Sequence, residues 1–525
     1  MGHYNRCWLN LKVLLLLSVC PLISSYDILV LAPAVSKSHF NVGEAISVGL
    51  AEAGHNVTLI SPYDYKPKYR NIEPVQTTGA IETADEMRKE METQGMDAIR
   101  KMPLVVMLPF IMNWQTEHCN LTLNHPNVRA LYGRKYDLVI VEIFGADVVV
   151  GLGQQFDAPV IGFSTFSTSR WTNDLIGNPS PLSYVSHPMR NYPDKMSIWD
   201  RISNTLMYVY ESLVLEFFSY RQRALYDHTF PDAKISYDEA RKNVSLIFVN
   251  SHFTIARPLP YGPNTIEVGG MHVNRKMKPL PQDIQKFLDS ATDGAIYFSL
   301  GSFMQSSQFP IEKRDAFINN FAKLKLKIVW KFEDDTVPMP KNVYTGSWLP
   351  QSDILGHRNV KAFISHGGLL GSTEAIYHGI PIVGIPFFGD QHLNIKRASQ
   401  AGWAILLDYD NITMESVEWA LNEILNEKRY LQNAKVISER YRDQPMTPTE
   451  TMVYWSEYVI RHKGAPHLRS AGLDLNYVQY HNLDAFAVIA ASIIIFCYVL
   501  KWACRKLCCR RKTVEKKTTN RKKNN

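Results

Sequence analysis

The stretch from Trp348 to Gln391 constrains the fold more than any other part of the chain, because it alternates apolar runs with glycine turns. Residues 361–365 form a short apolar run between polar and glycine residues, a pattern typical of a buried parallel strand. Residues 381–388 form a second such run, and a helix is expected to begin between the two runs at Ser372. The order strand, turn, helix, strand predicts a Rossmann-like α/β unit.

The turn that follows the first run predicts an anion-binding site. Gly367, Gly368 and Gly371 allow a tight turn and a close approach of the backbone to a ligand. The N-terminus of the helix behind them offers free N–H groups and the positive end of a dipole, which favour phosphate. Asp390 and Gln391 follow the second run, at the carboxyl edge where open α/β sheets bind their ligands. A phosphate-bearing ligand is therefore expected here.

Four elements of this stretch stand at the spacings of a known signature. They are Trp-x-Pro-Gln from Trp348, His-Gly-Gly from His366, a glutamate eight residues after that histidine, and a final Asp-Gln. The chain thereby resembles the UDP-glycosyltransferase family, in particular its membrane-bound animal branch, and its general likeness is to the arthropod members. The likeness covers nearly the whole chain and includes a Ser-Leu-Gly-Ser element at residues 299–302. It implies an α/β fold of two Rossmann-like domains facing a cleft, the B-type glycosyltransferase fold.

The resemblance implies a role for each residue of a donor site. In the family, the tryptophan stacks on uracil and the glutamine and glutamate hold ribose hydroxyls. The His-Gly-Gly turn and nearby serines hold the diphosphate, and the Asp-Gln pair bonds the sugar hydroxyls. The positions concerned here are Trp348, Gln351, Glu374, His366, Gly367, Gly368, Ser302, Ser372, Asp390 and Gln391. Many relatives carry Asn four residues or Ser five residues after the histidine, where this chain has Leu370 and Gly371. Backbone N–H groups, together with Ser372, are expected to replace them at the phosphates.

Length and charge indicate two globular domains and a separate tail. A chain of 525 residues with 46% hydrophobic and 20% charged residues exceeds one ordinary domain. We expect an acceptor-binding domain at 26–255 and, as the resemblance implies, a donor-binding domain at 256–480. Of the net charge of +7, residues 501–525 carry +10 and the first 25 residues +2, so residues 26–500 carry −5. Nothing in the body indicates a nucleic-acid surface.

Two apolar segments predict a lumenal body on a membrane anchor. Residues 1–25 have the short apolar core of a signal peptide, and residues 485–503 are apolar enough for a transmembrane helix in membrane lipid. The basic tail, 504–525, would mark the cytosolic side, and its last residues match the Lys-Lys-x-x retrieval signal. These features predict a single-pass type I protein of the endoplasmic reticulum membrane. Glycosylation sequons occur at Asn56, Asn120, Asn243 and Asn411.

Transfer of a sugar to a hydroxyl requires a base for the acceptor proton, and His39 is the candidate because imidazole can accept a proton near neutral pH. His39 follows the first predicted strand, 27–32, and resembles the family's base in position. A carboxylate behind it would fix its tautomer. Glu142, at the end of a predicted strand, is favoured by position, and Asp147 is the rival. No metal is expected, because a helix N-terminus and His366 can stabilise the leaving group.

The expected reaction is inverting transfer of glucose from UDP-glucose to a hydroxyl of a small lipophilic acceptor, with no permanently bound cofactor. A site for glucuronate would need a cation to offset its carboxylate. Glucuronosyl members of the family carry an Arg immediately before the Asn-Ser pair that starts at Asn250, where this chain has Val249. Arg257 and Arg275 leave the glucuronate alternative open. Two further alternatives are a biosynthetic transferase acting on lipid or protein and a non-catalytic lipophile-binding protein. The sequence also leaves open a homo-oligomer.

Overall fold

The computed structural model describes residues 25–83, 100–190, 192–193, 195–273, 277–302 and 304–521, with side chains as far as residue 506. The expected signal peptide as far as residue 24, Arg275 and the Lys522-Lys523 pair of the expected retrieval signal lie outside the described residues. Contacts divide the chain after Arg469 into two compact units. The first unit contains two sheets, and the second contains a long apolar helix.

Seven parallel strands form the first sheet, in the order β3-β2-β1-β4-β5-β6-β7. Strands β4, β5 and β6 are buried along their whole length, as is usual for continuous apolar runs in a sheet covered on both faces. The strand order reverses between β1 and β4, so a crevice opens at the carboxyl ends of these two strands. The strands are β1 (Asp27–Leu31), β2 (Asn56–Ser61), β3 (Ile72–Gln76), β4 (Leu138–Glu142), β5 (Val160–Ser164), β6 (Val244–Val249) and β7 (Thr265–Glu267).

The second sheet repeats this arrangement with six parallel strands in the order β10-β9-β8-β11-β12-β13. Its order reverses between β8 and β11, which makes a second crevice of the same kind. The strands are β8 (Ala295–Ser299), β9 (Lys327–Lys331), β10 (Val343–Gly346), β11 (Val360–Ser365), β12 (Ile382–Gly384) and β13 (Ala404–Leu406).

Helices connect the strands and cover both sheets. In the first half they are α1 (Lys37–Glu52), α2 (Leu104–Leu123), α3 (Pro126–Arg129), α4 (Leu152–Phe156), α5 (Arg170–Ile176), α6 (Ile198–Thr229) and α7 (Tyr237–Lys242). In the second half they are α8 (Gln282–Asp289), α9 (Ile311–Lys323), α10 (Gln351–Leu355), α11 (Leu369–His378), α12 (Gln391–Gln400), α13 (Met414–Asn426), α14 (Lys428–Arg442) and α15 (Pro448–Arg461).

Helix α15 returns from the second half to pack on the first. Its Met452 and Val459 belong to the same apolar cluster as Ile46 and Leu50 of α1. Gly49 of α1 faces this helix so closely that a Cβ there would lie 2.6 Å from a methyl group of α15. The two halves are therefore joined by packed apolar surface as well as by the chain between them.

The structure differs from the expected element bounds in the second half. Helix α11 begins at Leu369 and not at Ser372, because Gly368 takes the N-cap position in extended conformation. Strand β12 ends at Gly384, well before the expected end at residue 388. Pro386 has no backbone N–H to donate to a ladder, which explains the early end.

Three short edge strands, β3, β7 and β13, were not expected from the sequence. Strand β7 extends the first sheet to Glu267, beyond the domain boundary expected at residue 255. The position of that boundary stays a prediction, since both sheets lie within one compact unit.

The second unit contains α16 (Tyr477–Tyr480) and α17 (Leu483–Arg521). The segment Leu483–Lys506 has a mean hydropathy of 2.4 and is long and apolar enough to cross a membrane. At about 1.5 Å per residue it would extend about 36 Å, against a hydrocarbon thickness of about 30 Å. The span expected at residues 485–503 lies within this segment.

Candidate active site

A histidine and a glutamate meet at the crevice of the first sheet. His39 lies in the first turn of α1, directly after β1, and Glu142 is the last residue of the neighbouring strand β4. His39 Nδ1 and Glu142 Oε1 are hydrogen-bonded. The glutamate side chain is fully buried, whereas the histidine side chain is 15% exposed. With its proton on Nδ1, the imidazole donates to the carboxylate and keeps Nε2 as a proton acceptor.

Neighbouring groups hold this pair in place. The backbone N–H of Ala34 donates to Glu142 Oε2 at 3.4 Å. The hydroxyl of Thr165 lies 3.2 Å from Nδ1 and 3.4 Å from Nε2 of His39. Asn250 in turn donates from Nδ2 to the carbonyl of Thr165 at 2.9 Å. The pair is therefore part of a hydrogen-bonded network that runs across three strand ends.

Asp147, the rival partner considered from the sequence, lies in a different network. The hydroxyl of Tyr237 donates to one of its oxygens, and Arg241 Nε donates to the other at 2.7 Å. Its own N–H donates to Gln222 Oε1 at 2.8 Å. The structure thus brings Glu142, and not Asp147, to His39. The physical reason is that the 3₁₀ turn after Asp147 packs against α6 and α7, away from the crevice.

Aromatic side chains form one wall beside His39. The ring of Phe144 meets the imidazole edge to face, with centroids 4.6 Å apart. Phe166 and Trp171 continue this wall, with Phe144–Phe166 and Phe166–Trp171 centroid distances of 5.8 Å and 6.1 Å. Such a wall can hold an apolar ring next to Nε2 of the histidine.

Two glycine turns form the crevice of the second sheet. Gly301 after β8 and Gly367 after β11 have φ of +83° and +80°. Their N–H groups donate to Ser299 Oγ and Ser365 Oγ, each at 3.2 Å. A Cβ on Gly301 would lie 2.6 Å from Cε1 of His366. Glycine is required here both for the positive φ and for the close approach of the imidazole.

The start of α11 presents an anion-binding surface beside His366. Gly368 is the N-cap, so the N–H groups of the first three helical residues have no partner within the helix. Burial, and then the positive charge of Lys331, lower the pKa of His366 to about 4. His366 is therefore neutral at physiological pH. Lys331, the last residue of β9, is largely buried and also donates to Glu333 Oε1 at 2.6 Å.

A carboxylate and an amide of the second half are hydrogen-bonded to each other, and a tryptophan three residues before the amide in the chain is exposed. Gln351 donates from Nε2 to Glu374 Oε2 at 2.5 Å. Burial raises the pKa of Glu374 to about 7, so this group changes charge near neutral pH. The side chain of Trp348 is 64% exposed, which leaves a ring face open for stacking.

Asp390 and Gln391 stand at the N-terminus of α12. Asn394, one turn further, donates to Asp390 Oδ2 at 2.9 Å and to the carbonyl of Gly367 at 3.1 Å. The side chain of Gln391 accepts at Oε1 from the backbone N–H groups of residues 387 and 388, which leaves its NH₂ group as a donor. The Asp-Gln pair is thereby coupled to the glycine turn of β11.

One cavity is lined by residues of both halves. Asn250, Ser251 and Phe166 line it from the first half, and Asp390, Asn394 and Arg397 line it from the second. Burial raises the pKa of Asp390, while the charges of His39 and then Arg397 act in the opposite direction. The base candidate and the expected sugar-binding carboxylate are thus close enough to interact electrostatically.

Comparison with known proteins identifies the family. Residues 28–520 match the family model described as UDP-glucoronosyl and UDP-glucosyl transferase. The chain belongs to this family. It is 36% identical over 489 residues to UDP-glucosyltransferase 2 of Dactylopius coccus, covering 92% of this chain and 93% of that protein. Human 2-hydroxyacylsphingosine 1-beta-galactosyltransferase is 29% identical over 500 residues, covering 93% of this chain and 90% of that protein. Human UDP-glucuronosyltransferase 1A8 is 28% identical over 480 residues, with 89% of each covered.

Solved glycosyltransferases share the fold. The glycosyltransferase VinC in complex with DTDP has a TM-score of 0.55 at 16% identity, covering 83% of this chain and 100% of that chain. The glycotransferase of kitacinnamycin has a TM-score of 0.56, also at 16% identity, covering 84% and 99%. This UDP-glycosyltransferase thus has the B-type fold of two Rossmann-like domains, as the sequence predicted. It uses a UDP-sugar as donor and requires an acceptor.

The two serines expected at the phosphates of this UDP-glycosyltransferase have different surroundings in the structure. Ser302 is exposed, just after the turn of Gly301. Ser372 is buried in the second turn of α11, where its N–H donates to the carbonyl of Gly368 at 3.0 Å. Its hydroxyl has no hydrogen-bond partner among the described residues. Since the helix starts at Leu369, the backbone N–H of Ser372 is not available to an anion.

Sequence reasoning missed three residues of the site: Lys331, Thr165 and Asn394. Lys331 and Thr165 follow or end buried strands, a position that could have drawn attention to both. Asn394 lies four residues after Asp390, which is the helical spacing for side chains that meet. Their contacts with the site depend on sheet order, which a single sequence does not show.

Within the described residues, no group of three or more His, Cys, Asp or Glu side chains is placed to hold a metal ion. Paired carboxylates can hold a metal ion, and the sequence contains one Asp-x-Asp pair, Asp408 and Asp410. Asp410 forms a bidentate ion pair with Arg100 at 2.6 and 2.8 Å, and Asp408 accepts from the N–H of Asp410 as the N-cap of the 3₁₀ turn at residues 409–411. Both carboxylates therefore have structural partners.

Proposed function

We propose that this UDP-glycosyltransferase transfers glucose from UDP-glucose, with inversion, to the hydroxyl of a small lipophilic acceptor. The observation that carries the proposal is the hydrogen-bonded His39–Glu142 pair, whose histidine lies close enough to Asp390 to act electrostatically on it. A base that faces the expected sugar site is the arrangement that a single displacement requires.

In the proposed step, His39 Nε2 takes the proton of the acceptor hydroxyl while the hydroxyl oxygen forms a bond to C1 of the sugar. The bond between C1 and the diphosphate oxygen breaks at the same time, and its electron pair leaves with UDP. Glu142 holds the proton on Nδ1 and stabilises the imidazolium that forms. One displacement at C1 inverts its configuration.

The leaving diphosphate would be held by the second crevice. The N–H groups in the first turn of α11 have no partner within the helix and can donate to an anion, and neutral His366 can donate one hydrogen bond. Lys331 adds a positive charge near His366. Trp348, Gln351 and Glu374 would bind the uridine, with the carboxylate of Glu374 accepting from ribose hydroxyls.

Glucose is favoured by the surroundings of Asp390. Val249, at the position where glucuronosyl members carry an Arg, is buried in the sheet core. Arg257 donates to the backbone carbonyls of Tyr184 at 3.2 Å and of Tyr192 at 3.4 Å. Neutral sugar hydroxyls can donate to the Asp390 carboxylate, whereas a sugar carboxylate would be repelled by it.

A UDP-glucuronate donor is the second candidate, and one observation favours it. Arg397 lines the cavity beside Asp390, and its charge opposes the rise in the pKa of Asp390. This cation was not considered from the sequence. It could offset a sugar carboxylate if the sugar lay on the α12 side of the cavity.

The acceptor would lie against the wall formed by Phe144, Phe166 and Trp171, which suits an apolar ring that bears a hydroxyl. The lumenal, type I location in the endoplasmic reticulum membrane also stays a proposal. It is supported by the apolar segment of α17 and by the exposure of three sequon asparagines, Asn56, Asn243 and Asn411. The fourth, Asn120, is half-buried and accepts from Asn124 at 2.7 Å.

Competition between donors tests the proposal. Equal concentrations of UDP-glucose and UDP-glucuronate are offered with one phenolic acceptor, and the products are separated by mass. Predominant glucoside, with inverted configuration at C1, is the expected result. Predominant glucuronide that is lost in Arg397→Ala would establish the second candidate. If neither product forms with any of a panel of phenols and steroids, the lipophilic-acceptor proposal fails.

A further inference from the structure

Helix α6 exposes a continuous apolar stripe along about 32 Å of its length. The stripe consists of Trp199, Ile202, Leu206, Val209, Leu213, Phe217 and Tyr220, which recur every three or four residues and therefore lie on one face. Their exposed fractions range from 43% for Ile202 to 76% for Trp199 and Tyr220. A monomeric soluble protein rarely leaves an apolar surface of this length open to water. We call this feature the α6 stripe.

The opposite, buried face of the same helix carries both apolar and polar residues. Met207, Val214 and Phe218 pack in the core of the first half, while Asn204 and Glu211 are also fully buried. An ordinary surface helix has apolar residues inside and polar residues outside. Helix α6 therefore has apolar residues on both faces, and packing within the body accounts only for the inner ones.

The neighbouring helix α2 widens the stripe. Tyr210 of α6 donates from its hydroxyl to the carbonyl of Val105 at 2.6 Å, so the start of α2 lies beside the middle of α6. Val105, Val106 and Phe110 of α2 are 55%, 52% and 38% exposed. Two neighbouring helices, α6 and α2, therefore contribute to the exposed apolar surface.

Three basic residues lie within nine positions of Trp199, the first residue of the stripe. Arg190, Lys195 and Arg201 are all exposed and flank Trp199 in the chain. Asp200, between them, is engaged as the capping-box partner of Ser197. Lysines and arginines beside an apolar helical face complement anionic lipid headgroups, and Trp and Tyr favour the boundary between headgroups and hydrocarbon.

The same chain carries a segment, Leu483–Lys506, that is able to span a bilayer. Because both features belong to one chain, a bilayer that holds the segment is available to the body at a high effective concentration. A lipid surface is thus the apolar partner that the spanning segment would bring close to the α6 stripe.

We propose that the α6 stripe lies in the headgroup region of the membrane, so that the body binds the bilayer through a second, monotopic contact. The apolar side chains of the stripe would enter the boundary of the hydrocarbon, and the three basic residues would meet lipid phosphates. This contact is separate from the spanning segment and does not depend on the proposed donor or acceptor.

The test separates the two contacts by cutting the chain between them. A specific protease site is inserted between Leu475 and Asn476 of the full-length protein, which is reconstituted into phosphatidylcholine vesicles that contain phosphatidylserine. After cleavage, the wild-type body is expected to stay with the vesicles. In the triple variant Leu206→Glu, Leu213→Glu, Phe217→Glu the partition coefficient of the body should fall by about 100-fold or more, because each change removes an apolar side chain that would enter the bilayer.

A matched triple variant controls for added charge. Ile311→Glu, Trp419→Glu and Val436→Glu change three apolar residues that are 65%, 52% and 42% exposed in the second half. This variant should keep the wild-type partition coefficient, and both variants should keep the wild-type melting temperature. If the stripe variant fails to fold, the tryptophan fluorescence of the intact protein is measured in vesicles that contain brominated lipid, for the wild type and for Trp199→Phe. Brominated lipid should quench a larger fraction of the fluorescence in the wild type.

Three results would overturn the proposal. The first is release of the wild-type body by cleavage as a monomer. The second is release as a dimer that the stripe variant converts to a monomer, since this would assign the stripe to a second copy of the chain. The third is equal loss of vesicle binding in the stripe variant and in the matched variant, or equal quenching of wild type and Trp199→Phe.

Discussion

The two sheets have the same strand order but use their crevices in different ways. At the β1/β4 crevice the functional atoms belong to side chains, His39 and Glu142, that are far apart in sequence. At the β8/β11 crevice they belong largely to the backbone, since Gly301 and Gly367 clear space and the start of α11 supplies N–H groups. In the proposed function, one architecture thus provides a proton acceptor in one half and an anion site in the other.

This difference predicts two separable kinds of damage. A change in the first crevice should lower the rate and leave donor affinity intact, because the base contacts only the acceptor. A change in the second crevice should lower donor affinity, because a new side chain would fill the space of the diphosphate. The predictions below are arranged by the size of the expected effect.

Replacing the base candidate should have the largest effect. We expect His39→Ala to lower kcat by about 10²- to 10⁴-fold, because the acceptor proton would then have no acceptor in the site. Titration with UDP should give the wild-type Kd. A variant that retained more than about a tenth of the rate would remove His39 from the proposed mechanism.

Neutral substitutions of the two carboxylates, Glu142 and Asp147, should have different effects. Glu142→Gln should lower kcat by about 10- to 10³-fold at unchanged donor affinity, because it removes the charge that stabilises the imidazolium. Asp147→Asn should leave the rate of the folded enzyme unchanged. Instead it should lower the free energy of unfolding by about 1–3 kcal/mol, because the largely buried Arg241 loses its ion-pair partner.

Steady-state kinetics and thermal unfolding of both variants check this pair of outcomes. Wild-type kcat in Glu142→Gln would show that another group orients His39. A rate loss in Asp147→Asn without a change in melting temperature would contradict the structural role given to Asp147.

The sequence predicted the second crevice better than the first. Trp348, Gln351, His366, Glu374 and Asp390 stand within 43 residues of one another, and at these spacings they match the signature whose resemblance implies a donor site. Local glycine turns and a helix start require only nearby residues, so one sequence can show them. The longer strands of both sheets could be predicted for the same reason, because the apolar pattern of a strand lies within a few adjacent residues.

The first crevice depends on distant residues, and there the sequence left a choice open. Glu142 reaches His39 only because β4 pairs with β1, and Asp147 is held away by Arg241, which lies 94 residues further along the chain. The start of α11 was placed three residues late because a serine is a commoner N-cap than Gly368. Edge strands β3, β7 and β13 are too short to show a periodicity.

A methyl group on the glycine turn should damage the donor site and not the base. Gly367→Ala should raise the Kd for UDP by about 10- to 100-fold, because a Cβ there would overlap Ile395 and shift the turn that faces the phosphates. Gly79→Ala is the matched control, since Gly79 also has a positive φ, +91°, but nothing within 4 Å of its Cβ. Both variants should lose about 1–2 kcal/mol of stability from the positive φ, and only Gly367→Ala should lose affinity. Calorimetric titration with UDP checks this, and equal Kd values for the two variants would contradict it.

The smallest expected effect concerns the pH dependence of donor binding through Glu374. Burial raises the pKa of this carboxyl from an ordinary value of 4.5 to about 7, so the folded protein holds a proton there that the unfolded chain has already lost. Its contribution to stability is therefore fully present below pH 4.5 and is lost as the pH rises through 7. Ribose hydroxyls bind better to the ionised carboxylate, so the affinity for UDP-glucose should increase between pH 6 and pH 8, by at most about tenfold.

UDP-glucose is the appropriate probe, since the terminal phosphate of free UDP itself titrates near pH 6. His366, with a pKa of about 4, stays neutral over this range and cannot produce the change. In Glu374→Gln the affinity should be independent of pH, because the amide keeps the shape but has no charge to gain. An unchanged pH slope in this variant would assign the dependence to another group, with Asp390 the next to be replaced, because its pKa is also raised by burial. A flat profile in the wild type would mean that the Glu374 carboxylate does not accept from the ribose, and that the other groups of the second crevice hold the nucleotide without it.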